Sequence, residues 1–223
     1  MGLSARLRSA TGCLLLSLTV GCPATTGSDA TGDAGPSETD AGEVHADSGY
    51  DPALGNRFSG PIILDDGRVL EMDPSPLVAE PSACREPVLA RVTRVVDGDT
   101  LLALGISTDL DERVRLIGVD TPELASDGLP AECYGNEARD FTEQLDGRAV
   151  WLTFDRDCTD RFGRLLAYVW VGPGPQDLWE RQLLARGYAR QTTFAPNDAH
   201  EATLLSDEEL ARRAGTGLWS ECR

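Results

Sequence analysis

The chain has 223 residues, enough for one domain of ordinary size plus a tail, and a formal net charge of −17 with no lysine anywhere. Such an acidic surface repels a polyanion overall, which excludes a protein that grips nucleic acid through a broad basic footprint. Any binding of that kind has to come from a local arginine cluster and a bound cation.

At the N-terminus, Arg6 and Arg8 precede an apolar run, Leu14 to Val20, that ends at Gly21-Cys22. This is the pattern of an export signal over residues 1–22, and the run is too short for a membrane span of about 20 residues. A small residue directly before a cysteine resembles the bacterial lipobox, in which Cys22 is lipidated and becomes the mature N-terminus. Thr19 stands where leucine is usual, and an ordinary cleaved signal peptide is the alternative. Residues 23–55 are Ala, Thr, Gly, Ser, Asp and Glu with hardly a bulky side chain. They are expected to form a disordered tether with an end-to-end distance of about 30 Å. Residues 56–83 carry apolar stretches (Pro61 to Leu64, Arg68 to Leu70) but no motif. They could add a strand or hairpin, or drape on the domain expected over 84–223.

Val88 to Val96 has apolar residues at every second position except Arg94, which predicts a strand. Asp97-Gly98 turns the chain into a second strand, Thr100 to Ile106. A third, Arg113 to Val119, sets Val114 and Leu116 on one face and Arg115 on the other. Gly135 to Leu145 reads as a helix stopped by Asp146-Gly147, followed by strands over Ala149 to Phe154 and Arg164 to Val171. A second helix is expected over Gln176 to Arg186. A third begins after Pro196, where Asp198 and Glu201 have capping-box spacing, and ends at Gly215. Five strands, a helix between the third and fourth and two helices behind give the order of an OB-fold barrel, a β-rich α+β architecture.

Three segments carry chemistry: Val96-Asp97-Gly98-Asp99-Thr100, then Arg115 through Asp120-Thr121-Pro122-Glu123, then Asp160-Arg161-Phe162-Gly163-Arg164. Asp99 and Asp120 flank neighbouring strands and can share a hard cation, Ca²⁺ or Mg²⁺ rather than a soft metal. Glu123 is a carboxylate beside that cation, able to deprotonate a water. Arg115 and Arg164 can meet the negative charge of a phosphoryl transition state. Each residue alone reads more simply, as a turn aspartate, an exposed loop acid or a surface ion pair; the set does not.

In these residues, over about Val92 to Trp219, the sequence resembles the thermonuclease (staphylococcal nuclease-like) family. The resemblance implies the same barrel, with Ca²⁺ favoured over Mg²⁺ and held by Asp99, Asp120 and the carbonyl of Thr121. It implies Glu123 as general base, Arg115 and Arg164 as catalytic arginines, and cleavage of both DNA and RNA to 3′-phosphate products. A single-stranded substrate is preferred, and a monomer is expected. Arg161 stands in for a frequent lysine, Phe162 for a tyrosine that contacts a terminal phosphate, Thr192 for a base-stacking aromatic, and Glu180 for a common asparagine. Phe194 remains as an apolar platform. The connection from Thr100 to Arg115 is two residues longer.

Outside the signal, Cys84, Cys133, Cys158 and Cys222 remain, an even number suited to two disulfides in an exported protein. Four cysteines allow three pairings. In an OB barrel the first strand pairs antiparallel with the fourth, which brings Cys84 near Cys158 and leaves Cys133 for Cys222. Zinc is not expected, because no C-x2-C spacing exists and His200 lies far from all four. The expected location is the outer membrane or cell surface through a lipid on Cys22, or else a secreted or periplasmic form. Two rivals to a nuclease are a non-catalytic binding module and a structural envelope lipoprotein. Aromatics at 6% of the chain are too few for the aromatic cage of a binding module.

Overall fold

The computed structural model describes residues 60–78, 82–126 and 128–222. The expected signal, its Cys22, the tether and the first residues of the 56–83 segment lie outside them.

β1 (Val88–Val95) buries Val88, Ala90 and Val92, and then shifts register between Val92 and Arg94. That bulge turns Val95 inward instead of keeping the strict alternation expected from the sequence. β1 pairs antiparallel with β2 (Thr100–Gly105), and β2 with β3 (Asp111–Leu116), placing Thr100 opposite Arg115. β3 ends at Leu116, not Val119. Ile117 and Gly118 make a turn, and β4 (Val119–Asp120) pairs separately with β7 (Arg190–Gln191). β5 (Ala149–Thr153) and β6 (Leu165–Trp170) pair antiparallel; β6 then runs parallel to β3, and β5 antiparallel to β1. The order β1-β2-β3-β6-β5 closes a five-stranded barrel, as expected for the OB-fold. Val92, Leu101, Val114, Leu116, Leu152, Ala167 and Val169 fill its interior.

Three helices sit where the sequence places them, each shorter or trimmed: α2 (Gly135–Thr142), α3 (Trp179–Ala185) and α4 (Glu201–Ala214). α3 is buried along its whole length. Arg181 joins it to α4 by a two-pronged ion pair with Asp207, Nε to Oδ2 at 2.7 Å and Nη2 to Oδ1 at 3.1 Å. Both side chains are buried, where a guanidinium fork on a carboxylate has its strongest geometry. The capping box at Asp198 does not form. α4 starts two residues later than that box would place it, after His200, and the Asp198 carboxylate pairs with Arg156 at 3.1 Å instead. The His200 ring packs edge-on against Tyr168 and Trp170, and burial lowers its pKa to about 4.

Two further helices were not foreseen: α1 (Asp66–Glu71) and α5 (Leu218–Glu221). The 56–83 segment thus contributes neither strand nor hairpin where it is described. Asp65 caps α1 by accepting from the Gly67 and Arg68 N–H groups, and Val69 is buried against the barrel. Trp151 Nε1 donates to the Val69 carbonyl at 2.9 Å, and Arg68 pairs with Asp177 at 2.8 Å. No helix among the described residues is long and apolar enough to cross a membrane.

The cysteines pair as expected, Cys84 with Cys158 and Cys133 with Cys222, both at a Cα separation of 5.7 Å. The first bridge anchors the base of the loop that leads to Arg164: Leu166 N–H donates to the Cys158 carbonyl, and Cys84 N–H to that of Asp155.

Candidate active site

The first segment is a tight turn between β1 and β2. Val96 and Asp97 N–H both donate to the Thr100 carbonyl, and Asp99 N–H donates to its neighbour's carboxylate, Asp97 Oδ1, at 3.2 Å. The turn buries Asp99 and aims it across the barrel end. One of its oxygens, Oδ2, accepts from the Thr121 N–H at 2.8 Å and the Thr121 hydroxyl at 3.0 Å. The other faces the Thr100 hydroxyl and Arg115 Nη1. Burial pushes the Asp97 carboxyl up, against hydrogen bonds from Thr100 and the positive charges of Arg115 and Arg164.

Arg115 lies on the outer face of β3, yet it is only 9% exposed. Simple alternation assigned it to the open side of the strand; two carboxylates close over it instead. Nη1 sits against Asp99 and Nη2 donates to Asp120 Oδ1 at 2.9 Å. Burial lowers its pKa, opposed by Asp120 and Asp97 and reinforced by the nearby charge of Arg164, though a guanidinium stays protonated throughout.

Asp120 and Thr121 follow the Ile117–Gly118 turn, with the β4–β7 pairing holding Asp120 opposite Arg190. The Asp120 side chain is 59% exposed, in contrast to Asp99. Both carboxylates reach the two ends of one guanidinium, which places them on the same side of the barrel end. A hard donor set of this kind fits Ca²⁺ or Mg²⁺, with the Thr121 carbonyl on the same segment. Among the described residues no group of three or more His, Cys, Asp or Glu side chains forms a metal cluster. A cation here therefore depends on two carboxylates, backbone oxygen and water. Glu123 follows two residues later, exposed, on the loop that Pro122 stiffens.

The third segment is a turn built around Asp160. Its Oδ1 accepts from the N–H groups of Phe162 (2.8 Å) and Arg164 (2.9 Å), while Oδ2 accepts from Arg164 Nε at 2.7 Å. Gly163 takes a φ of 78° there, a conformation that costs a side-chain-bearing residue about 1 kcal/mol or more. Burial raises the Asp160 pKa, but the bonds from Arg164 and Phe162 outweigh it and hold the carboxyl below its usual value. With Nε engaged, the terminal amino groups of Arg164 remain for a ligand. No role was read for Asp160 in the sequence, although an aspartate two residues before a backbone donor and three before glycine is a legible turn signal.

Arg115, Arg161, Phe162, Arg164, Thr192 and Phe194 line one cleft of about 420 Å³. Its floor is Leu116 to Val119. One wall is the 157–164 loop and the other is Thr192 to Asn197, pinned by Asn197, whose side chain bonds the Asp157 N–H and carbonyl, both at 2.8 Å. Phe162 and Phe194 are 68% and 71% exposed at the rim, and the Arg161 guanidinium lies 4.6 Å from the Phe162 ring centre. Asp99, Asp120 and Thr121 join this cleft through Arg115, while Glu123 stands beyond them on its loop.

A family sequence model described as staphylococcal nuclease homologue matches residues 113–221. A thermonuclease of Staphylococcus intermedius is 39% identical over 130 residues, 57% of this chain and 74% of that protein. A thermonuclease of Staphylococcus hyicus is 36% identical over 134 residues, 58% of this chain and 75% of its own. Endonuclease YncB of Bacillus subtilis is 33% identical, covering 63% of this chain and 67% of the relative. The three relatives are each more than 30% identical to this chain and are covered over two thirds or more of their own length, so the chain belongs to the staphylococcal nuclease family.

Proposed function

We propose that this nuclease-family hydrolase is a Ca²⁺-dependent endonuclease that cleaves single-stranded DNA or RNA to 3′-phosphate products. The observation that carries the reading is the convergence of Asp99 and Asp120 on Arg115, with Arg164 aimed into the same cleft. Glu123 takes the proton of an attacking water whose oxygen bonds to phosphorus. The P–O5′ bond breaks opposite it, and the leaving oxygen is protonated from solvent. Arg115 and Arg164 carry the charge that grows on the equatorial oxygens. Asp99, Asp120 and the Thr121 carbonyl would hold Ca²⁺, which would supply positive charge to the reacting phosphate. Arg161, Phe162 and Phe194 contact the flanking nucleotide, with the exposed rings offering a stacking surface that does not discriminate between bases.

The protein is read as exported and held at the outer membrane or cell surface by a lipid on Cys22. Two disulfides, which persist in oxidising compartments, support export. It is read as a monomer.

The first test is cleavage of a labelled single strand with and without metal. Activity that needs added Ca²⁺ and vanishes with a chelator is expected; undiminished cleavage in excess chelator rules out the metal assignment, and no cleavage under any condition leaves a binding module as the better reading. A second expectation concerns salt. Arg115 is already paired with two carboxylates and Arg164 with one, so few counterions are released on binding. The slope of log KM against log salt should correspond to about two or three phosphates, roughly 2 for a single strand. A slope of 5 or more would show a basic footprint that the charge distribution does not provide.

A further inference from the structure

We propose that Glu132, backed by the Cys133–Cys222 bridge, is a positioning residue for the base Glu123; the inference rests on the assignment of Glu123 as that base. The Glu123 side chain is exposed, so the space its carboxylate can reach is set by where the backbone places its Cα. One residue clamps both polar groups of that backbone. Glu123 N–H donates to Glu132 Oε2 at 3.2 Å, and Glu132 N–H donates back to the Glu123 carbonyl at 2.8 Å. Between them the chain doubles over, with Ser126 and Leu129 exchanging backbone bonds of 3.2 and 2.8 Å.

The clamp is itself anchored. Gly135 N–H donates to the Glu132 carbonyl at 3.1 Å, and the start of α2 leans on the base: a Cβ on Gly135 would lie 2.6 Å from the Glu123 carbonyl oxygen. Only glycine permits that approach. Cys133, the residue after the clamp, is bonded to Cys222, 89 residues further along, directly after α5. The backbone of the base is thus tied through one carboxylate and one covalent bond to the C-terminal end of the domain. Glu132 and Cys133 are both exposed, so neither side chain packs into the core. Beyond the stability that a disulfide adds to the fold, their contribution is geometric. A general base works only within hydrogen-bond reach of its proton, and a displacement of about 1 Å costs up to about a hundredfold in rate.

The test separates kcat from KM for cleavage of a single-stranded oligonucleotide by the full chain with Ca²⁺. Glu132→Ala is expected to lower kcat about ten- to a hundredfold with KM and Tm nearly unchanged. Glu132→Gln should recover most of the loss, since its amide oxygen still accepts the Glu123 N–H. The double variant Cys133→Ser/Cys222→Ser, which keeps the Cys84–Cys158 bridge, should lose kcat in the same way. In a Glu123→Gln background, Glu132→Ala should have no further effect, an outcome that a merely structural role does not produce. Full kcat in Glu132→Ala, a change in KM alone, or an undiminished effect in the Glu123→Gln background overturns the proposal. Wild-type activity in Glu123→Gln removes the base assignment itself, which the same panel reads directly.

Discussion

Replacing Arg164 with alanine is expected to lower kcat by about 10²–10³, the usual cost of losing one preorganised donor to transition-state charge. The argument is geometric. Asp160 holds Nε at 2.7 Å, which fixes the plane of the guanidinium and leaves its terminal amino groups for the cleft. A group held this way incurs little reorganisation when charge develops on the phosphoryl oxygens. Ground-state binding should suffer less than kcat, because Arg115 and Arg161 still line the cleft. Arg164→Lys should recover little, since an ammonium can keep the Asp160 contact or reach the phosphate but lacks the fork to do both. Steady-state kinetics on one oligonucleotide settle the matter: a kcat within about threefold of wild type, against the loss expected of a catalytic donor, removes Arg164 from the transition state.

The same geometry explains how a chain with a net charge of −17 can act on a polyanion. Sixteen arginines stand against twenty-five acids from Cys84 onward, so the surface as a whole repels nucleic acid. Inside the cleft, Arg115 and Arg164 are held by carboxylates that orient them and also dilute their charge. A bound cation would offset Asp99 and Asp120 and return Arg115 to the substrate. The arrangement favours catalysis at a correctly seated phosphate over tight binding of a long strand.

The barrel was legible in the sequence because its strands alternate and its turns carry glycine and aspartate. What escaped was non-local. β4 and β7 are two residues each, too short to leave a pattern, and their pairing depends on a contact across some seventy positions of chain. α1 is six residues long with a glycine inside it, so its only sequence signal was Asp65 as a cap. Asp198 had the right spacing to start α4 but pairs with Arg156 instead, a contact that no local pattern announces. The segments that carry the candidate site residues could be read from the sequence, but the burial of Arg115 could not. Alternation gives the face of a strand, and it cannot say that two acids from other turns will cover that face. Asp160 was overlooked for the opposite reason, since its work is within its own turn and resembles an ordinary loop acid.

Glu180→Gln is expected to stabilise the domain at pH 8, by an amount that grows as pH rises above 4.5, because a charge-bearing group is removed from a site that does not solvate it. Glu180 is fully buried on α3, beneath β6, and its two oxygens share the Val169 N–H at 3.1 and 3.3 Å. Burial raises its pKa well above the usual 4.5, and only its own N–H and that of Val169 act in the other direction. Among the described residues no guanidinium acts on it, in contrast to Asp207 on the next helix. The sign follows from proton binding. Below the unfolded pKa, near 4.5, the carboxyl is neutral in both states and contributes its full stability. As pH rises, the unfolded chain ionises first while the folded one keeps its proton, so stability falls until the folded pKa is passed. The amide matches the neutral acid in shape and still accepts from Val169, but it does not titrate. Urea melts from pH 4 to pH 9 should therefore show wild type and variant converging at the acid end and separating steadily above it. Parallel curves across that range would mean that Glu180 is not held neutral in the fold.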